Sequence, residues 1–155
     1  MEINGIAHIQ LTVNDLQRAI PFYESILGFM GLKAVAKAAN GLYMVGGRTA
    51  VAVTRASDEN RIYEFDQRRI GLHHICFRAR SVDEIVSLHA FLVQQGVKIV
   101  HPPEEGAWAP GYHSVLFEDP EGIRLEVNFV PGKGLFENSG QLPLKHMPGY
   151  EDYPS

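Results

Sequence analysis

The chain has 155 residues, 45% hydrophobic and 21% charged, with a formal net charge of −4 at pH 7. That is enough apolar residue for one ordinary core or for two small halves packed together, and the mild charge, with basic residues scattered apart from Arg68-Arg69, argues against a nucleic-acid partner. A lone cysteine, Cys76, excludes an intrachain disulfide, and with no leader-like N-terminus and no apolar run near ~18 residues the expectation is a soluble, cytoplasmic protein with no membrane partner.

In chain order, Gly5-Ile6-Ala7-His8-Ile9-Gln10-Leu11-Thr12-Val13 reads as a strand. Asp15 to Leu27 then carries Leu16, Ala19, Ile20, Tyr23, Ile26 and Leu27 at helical spacing. Pro21 inside that stretch predicts a kink or a late helix start. Leu42–Val45 and Thr49–Thr54 read as strands, and the polar connection Ala56–Ile70 carries Tyr63 and Phe65. A second series opens with Gly71-Leu72-His73-His74-Ile75-Cys76-Phe77-Arg78-Ala79. Its helix is announced by the capping box Ser81-Val82-Asp83-Glu84, continues through Ile85, Leu88 and Leu92, and stops at Gly96. Strands are expected at Val97–Val100, Ser114–Phe117 and Ile123–Val130. Between them Pro102–Gly111 reads as a loop whose Trp108 suits a lid or an apolar pocket wall. Residues 131–155 have loop composition, with Leu135, Phe136, Leu142, Leu144 and Tyr150 able to pin them on the domain or on a neighbouring subunit.

The two series are a repeat: a strand-helix-strands unit occurs twice. In that register His74 matches His8, while His73 matches Ala7 and faces the other way, because neighbouring strand residues point to opposite faces. On the last strand Ile123, Leu125, Val127 and Phe129 form one face and Arg124, Glu126 and Asn128 the other. His8, His74 and Glu126 thus compose a 2-His-1-carboxylate set able to hold a divalent ion with positions left open. Residue types alone leave this reading level with that of half-buried strand histidines and a solvated glutamate.

If Asp119 and Gly122 close the final hairpin, Val115 pairs with Glu126 and His113 with Asn128. His113 then faces the site, as a general acid/base or as a hydrogen-bonded rim residue. Cys76 shares the face of His74, as a pocket wall or a buried inert thiol, and Arg124 shares that of Glu126, where it could pair with an anionic substrate group.

Several motifs together resemble the vicinal oxygen chelate superfamily of glyoxalases, bleomycin-resistance proteins and extradiol dioxygenases. They are His8-Ile-Gln-Leu, Phe22-Tyr23-Glu-Ser-Ile-Leu27-Gly28-Phe29, His74-Ile-Cys-Phe, and Phe117-Glu-Asp119-Pro120-Glu-Gly122-Ile-Arg-Leu-Glu126. The resemblance implies an α+β fold of two βαβββ modules, about 3–56 and 70–130 within a domain of residues 1–130. These would form a curved, cup-shaped mixed sheet with the helices outside. It implies one divalent metal ion (Fe, Mn, Zn or Ni) on His8, His74 and Glu126, a small-molecule substrate and a homodimer. Aligning Gly47-Arg48-Thr49-Ala50-Val51 with Gly122-Ile123-Arg124-Leu125-Glu126 puts Val51 where the family often has a fourth ligand, so that Val51, with His113 and Trp108, would bound the open side of the substrate pocket. The three-ligand set then suits dioxygenases and thiol transferases better than glyoxalase I or the epimerases. The dioxygenase signature, however, has tyrosine where this chain has Leu116. The expected protein is an enzyme of lyase/isomerase or dioxygenase type; the alternative is a metal-free protein that sequesters a drug or metabolite, as bleomycin-resistance proteins do.

Overall fold

The computed structural model describes residues 3 and 5–132; the expectations for the tail lie outside these from residue 133 onward. In chain order the elements are β1 (His8–Val13), α1 (Leu16–Phe29), β2 (Lys33–Ala38), β3 (Gly41–Val45), β4 (Ala50–Arg55), a 3-10 turn at Asp58–Asn60, β5 (Ile75–Arg78), α2 (Val82–Gln94), β6 (Ile99–Glu105), β7 (His113–Glu118) and β8 (Arg124–Phe129). The strands form two four-stranded mixed sheets, ordered β1-β4-β3-β2 and β5-β8-β7-β6. In each, the first strand runs parallel to the last and the other pairs are antiparallel. The repeat is therefore an α+β unit used twice. Two compact units result, one running to Gly71 and including Asp119–Ile123, the other comprising Leu72–Glu118 and the chain from Arg124.

Both helices begin and end by the same local chemistry. Asp15 caps α1 by accepting from the amides of Gln17 (2.9 Å) and Arg18 (3.3 Å). Ser81 caps α2 through the Glu84 amide, 3.2 Å away, while the Glu84 carboxylate accepts from the Arg80 amide. At the C-termini, Leu32 N to Leu27 O and Gly31 N to Gly28 O match Val97 N to Leu92 O and Gly96 N to Val93 O, the paired bonds of a Schellman motif. Because α1 starts at Leu16, Pro21 lies in its second turn and does not delay it. Leu16, Ala19, Tyr23, Ile26 and Leu27 form the buried stripe of α1, and Ile85, Leu88 and Leu92 that of α2. Each such aliphatic side chain contributes roughly 1.5–3 kcal/mol on burial.

The outer strands depart from the sequence pattern. All six residues of β2 are exposed, so Lys33–Ala38 carries no burial alternation. Pro102 and Pro103, expected in a loop, belong to β6, which lies at the edge of its sheet and shifts register twice against β7. An edge tolerates prolines because their missing N–H is not needed by a neighbour.

The β7–β8 hairpin sets the register of the second sheet. Asp119 and Ile123 close it through Asp119 N to Ile123 O at 2.9 Å, leaving the three-residue loop Pro120-Glu121-Gly122. Gly122 takes φ +88°, the left-handed residue that a three-residue hairpin loop needs. The Asp119 Oδ1 atom accepts from the amides of Glu121 and Ile123, both at 2.8 Å. The expected closing pair, Asp119 with Gly122, is thus one residue short. Leu116 pairs with Glu126, Ser114 with Asn128 and Val115 with Val127, each shifted by one from the sequence reading.

The hairpin tip is built into the first unit. Tyr23, 1% exposed, donates its hydroxyl to Asp119 Oδ2 at 2.8 Å. Glu121 accepts from the amides of Asn14 (2.8 Å) and Asp15 (2.6 Å) at the start of α1, where the helix dipole favours a carboxylate. Burial pushes the Asp119 pKa up, despite hydrogen bonds from Tyr23, Glu121 and Ile123 that favour its charged form.

A second one-residue slip occurs in the first sheet. His8 pairs with Ala50, Ile9 with Val51 and Gln10 with Ala52, while Met44 pairs with Val51. Val51 is 1% exposed on the packed face, opposite to that of His8, so it cannot bound a site that His8 faces. The two sheets give the equivalence directly: Gln10 pairs with Ala52 as Cys76 pairs with Glu126. Ala52 is therefore the counterpart of Glu126.

Two substitutions check this packing. Tyr23→Phe leaves a buried carboxylate oxygen without its donor and should cost about 1–3 kcal/mol in denaturant unfolding. Val51→Glu buries an unpaired charge and should cost on the order of 4 kcal/mol or prevent folding. Ala52→Glu, on the open face, should stay within about 1 kcal/mol of the wild type in the same measurement. Equal tolerance at positions 51 and 52 would contradict the observed register.

Candidate functional site

In the second unit the side chains converge on Glu126. Paired residues on neighbouring strands share a face. Cys76, Leu116 and Glu126 therefore lie on one face of the sheet, together with Ser114 and Asn128. Two of the partners of the Glu126 carboxylate take different oxygens: Tyr112 donates its hydroxyl to Oε1 at 2.5 Å, and His74 Nε2 lies 3.1 Å from Oε2. Burial opposes ionisation of Glu126, but hydrogen bonds from His74, Tyr112 and Ser114 outweigh it and hold the pKa at about 2. The same surroundings act oppositely on their neutral members. Burial and the Glu126 hydrogen bond push the Tyr112 phenol up, and burial followed by the charge of Glu126 pushes the Cys76 thiol up to about 12. Glu126 is a fixed anion among groups that keep their protons.

The adjacent histidines do not point to opposite faces. His74 meets Glu126. His73 is not turned away, because its Nδ1 lies 2.7 Å from Nδ1 of His74. The strand begins only at Ile75, so strict alternation does not govern the two residues before it. One of the two Nδ1 atoms must carry the shared proton, and the protonation of His74 Nε2 is thereby linked to His73.

Other expected site residues fall less favourably. His113 pairs with Phe129 and lies on the face of Val115 and Phe117, both fully buried; its Nδ1 contacts Gly111 O at 3.1 Å. The hairpin register that displaced it brings Tyr112 to Glu126 instead. Arg124 shares the face of Glu126, but its Nε lies 3.6 Å from Glu118 Oε1, so its charge is already engaged. Trp108 lies in the turn between β6 and β7, beside Gly106 and Tyr112. Tyr112 was not legible as a site residue: it sat between an apparent loop and a strand, and only the corrected register identifies its face.

In the first unit His8 lines a cavity of about 360 Å³ together with Gln10, Lys37, Tyr43, Ala52 and Thr54. Gln10 Nε2 donates to Thr54 Oγ1 at 3.3 Å, and Lys37 is paired with Glu24 at 2.7 Å. The cavity keeps a floor of small residues, since the counterpart of Glu126 is alanine. Among the described residues no three His, Cys, Asp or Glu side chains are grouped to hold a metal. No helix among them is long and apolar enough to cross a membrane.

Known proteins share this organisation. Virulence protein STM3117 of Salmonella typhimurium is 29% identical over 134 residues, covering 83% of this chain and 85% of that protein. Its crystal structure superposes with a TM-score of 0.58, covering 83% and 98% of the two chains at 26% identity. Metallothiol transferase FosB of Shouchella clausii is 26% identical, covering 81% of this chain and 80% of its own length. A glyoxylase/bleomycin resistance protein/dioxygenase domain from Frankia sp. EAN1pec shares the fold at a TM-score of 0.67 and 22% identity, covering 83% and 98%. With residues 5–127 matching the family model, the doubled unit and its paired sheets are those of the Glyoxalase/Bleomycin resistance protein/Dioxygenase superfamily, to which the chain belongs.

Proposed function

We propose that the protein is a metal-dependent enzyme in which His8, His74 and Glu126 hold one divalent ion of iron, manganese, zinc or nickel. A small substrate would bind through two neighbouring oxygens. The observation that carries this reading is the pair His74 Nε2 and Glu126 Oε2, 3.1 Å apart with the carboxylate ionised. Two donors ~2.1 Å from a common ion and at right angles lie about 3.0 Å apart. The donor set also fits chemically. Glu126 needs no deprotonation, and His74 can pass its Nε2 proton duty to Nδ1, where His73 stands ready to accept.

The ion supplies Lewis acidity to the substrate oxygens. The chain's own residues hold Glu126 in one orientation and leave room for the substrate. Ala52 keeps the face of His8 uncrowded, and Gln10 and Thr54 offer polar groups along the cavity wall. An alanine where a fourth carboxylate could stand favours the family's three-ligand chemistries, thiol transfer and ring-cleaving oxygenation, over proton-shuttling isomerisation. Among the relatives' names, metallothiol transferase FosB agrees with this choice and 2-epi-5-epi-valiolone epimerase of Actinomyces sp does not, so the choice rests on Ala52.

Elemental analysis of protein purified without added metal should find about one divalent ion per chain. His74→Ala and Glu126→Gln should lose most of it. His73→Ala should still fill at saturating metal, and Ala52→Glu should hold the ion at least as tightly as the wild type. A wild-type protein that neither carries nor takes up a divalent ion in titration would overturn the reading in favour of a metal-free sequestering protein. Assembly as a homodimer belongs to the same proposal. Light scattering at micromolar concentration should give twice the chain mass, and a monomer there removes that part.

A further inference from the structure

Tyr112 stands outside every motif that carries the family resemblance, yet it makes the shortest contact to Glu126. Its place is built from the backbone. Gly106 N donates to Tyr112 O at 2.8 Å and Tyr112 N to Ala109 O at 3.0 Å, so the turn between β6 and β7 closes on this residue from both sides. Gly106 completes the seat: a Cβ there would lie 3.1 Å from Cδ1 of both Trp108 and Tyr112. A side chain there would press on both rings and shift them by a few tenths of an ångström. The hydroxyl then meets Oε1 at 2.5 Å, at the short end for a neutral donor on a carboxylate.

We propose that Tyr112 is the positioning residue of Glu126: by occupying Oε1 it presents a single oxygen, Oε2, beside His74 Nε2. The inference rests on the metal-binding reading above. A carboxylate is free to turn about its last bond and can offer one oxygen or two. A phenol fixed by its own turn removes that freedom and leaves one oxygen for an ion. Trp108, expected to be a lid or pocket wall, here acts one step back, as part of the packing that seats the phenol.

The test is a titration of cobalt(II) into the wild type, Tyr112→Phe, Glu126→Gln and the double variant, followed by binding calorimetry and visible absorption. Tyr112→Phe keeps the ring and loses only the hydroxyl. It should weaken cobalt binding roughly 10–100-fold, as loss of an outer-sphere partner does. Its absorption should also fall in intensity as the freed carboxylate adds a second oxygen. In the Glu126→Gln background the same change should have no further effect. Gly106→Ala, which retains the hydroxyl but crowds the ring, should shift affinity in the same direction and carries the test should Tyr112→Phe fail to fold. Wild-type affinity and spectrum in Tyr112→Phe would overturn the proposal, as would an equal loss with and without Glu126. A wild type that binds no cobalt would instead remove the metal-binding reading on which it rests.

Discussion

The Asp119 side chain decides what the second sheet presents. By accepting the amides of Glu121 and Ile123 it stabilises a three-residue loop in place of a two-residue one. A hairpin's loop length fixes its register, and a shift of one residue turns every side chain to the other face. Had the loop been two residues long, His113 and Val115 would stand beside Glu126, and Leu116 and Tyr112 would be packed away. The chemistry around Glu126 is thus a consequence of turn chemistry seven residues from it along the chain. The other oxygen of Asp119 bonds Tyr23 inside the first unit, so the tip that sets the register is itself anchored. The Asp-Pro-Glu-Gly turn is, in this chain, part of the first unit's own packing.

This also explains which features could be read beforehand. The repeat, both helices with their caps, and the choice of His74 over His73 beside Glu126 follow from local rules: helical spacing, capping residues, and two matched histidines. β2 could not be found that way. Lys33–Ala38 is exposed throughout and held in the sheet by its hydrogen bonds with β3, so no face of it is marked by apolar residues. Both errors at the site were of one residue. The sequence Asp119-Pro-Glu-Gly122 is compatible with loops of two and three residues, and Ala50-Val51-Ala52 offers small apolar residues on both faces. In such a stretch alternation carries no register, and pairing with Ile9 and Met44 decides. Pro102 and Pro103 misled for a different reason: proline argues against a strand only where its missing donor is required, and at an edge it is not.

The electrostatics at Glu126 form a contest between burial and its hydrogen-bond donors, and the donors win. Burial alone would make this carboxyl a weak acid, as it does Asp119. Asp119 also accepts from three donors, but it shares its surroundings with the Glu121 carboxylate, which adds repulsion. Glu126 has His74, Tyr112 and Ser114 around it, and the His74 ring adds an attractive charge when protonated. Charge-assisted bonds of this kind are each about twice as strong as neutral ones, and together with the His74 charge they exceed the desolvation cost at Glu126. Two carboxylates in one hairpin are thus driven in opposite directions, Asp119 by its burial first and Glu126 by the donors that outweigh its burial. The one kept ionised lies on the sheet face with His74, and the one pushed toward protonation is buried at the hairpin tip.

The two units repeat one backbone pattern and differ in the side chains at matched positions. Backbone for backbone, Gln10 opposite Ala52 in the first sheet corresponds to Cys76 opposite Glu126 in the second. In the second, the position is filled by a carboxylate and crowded by a phenol, a thiol and an imidazole. In the first it is a methyl group, and the face that bears His8 opens into a cavity. Donors around a carboxylate fix its orientation and hold its pKa down, and their side chains occupy the face beside it. A small residue at the matched position leaves that face open. Two copies of the same fold have thus diverged at one matched position, Ala52 and Glu126, and with it in what each sheet face presents.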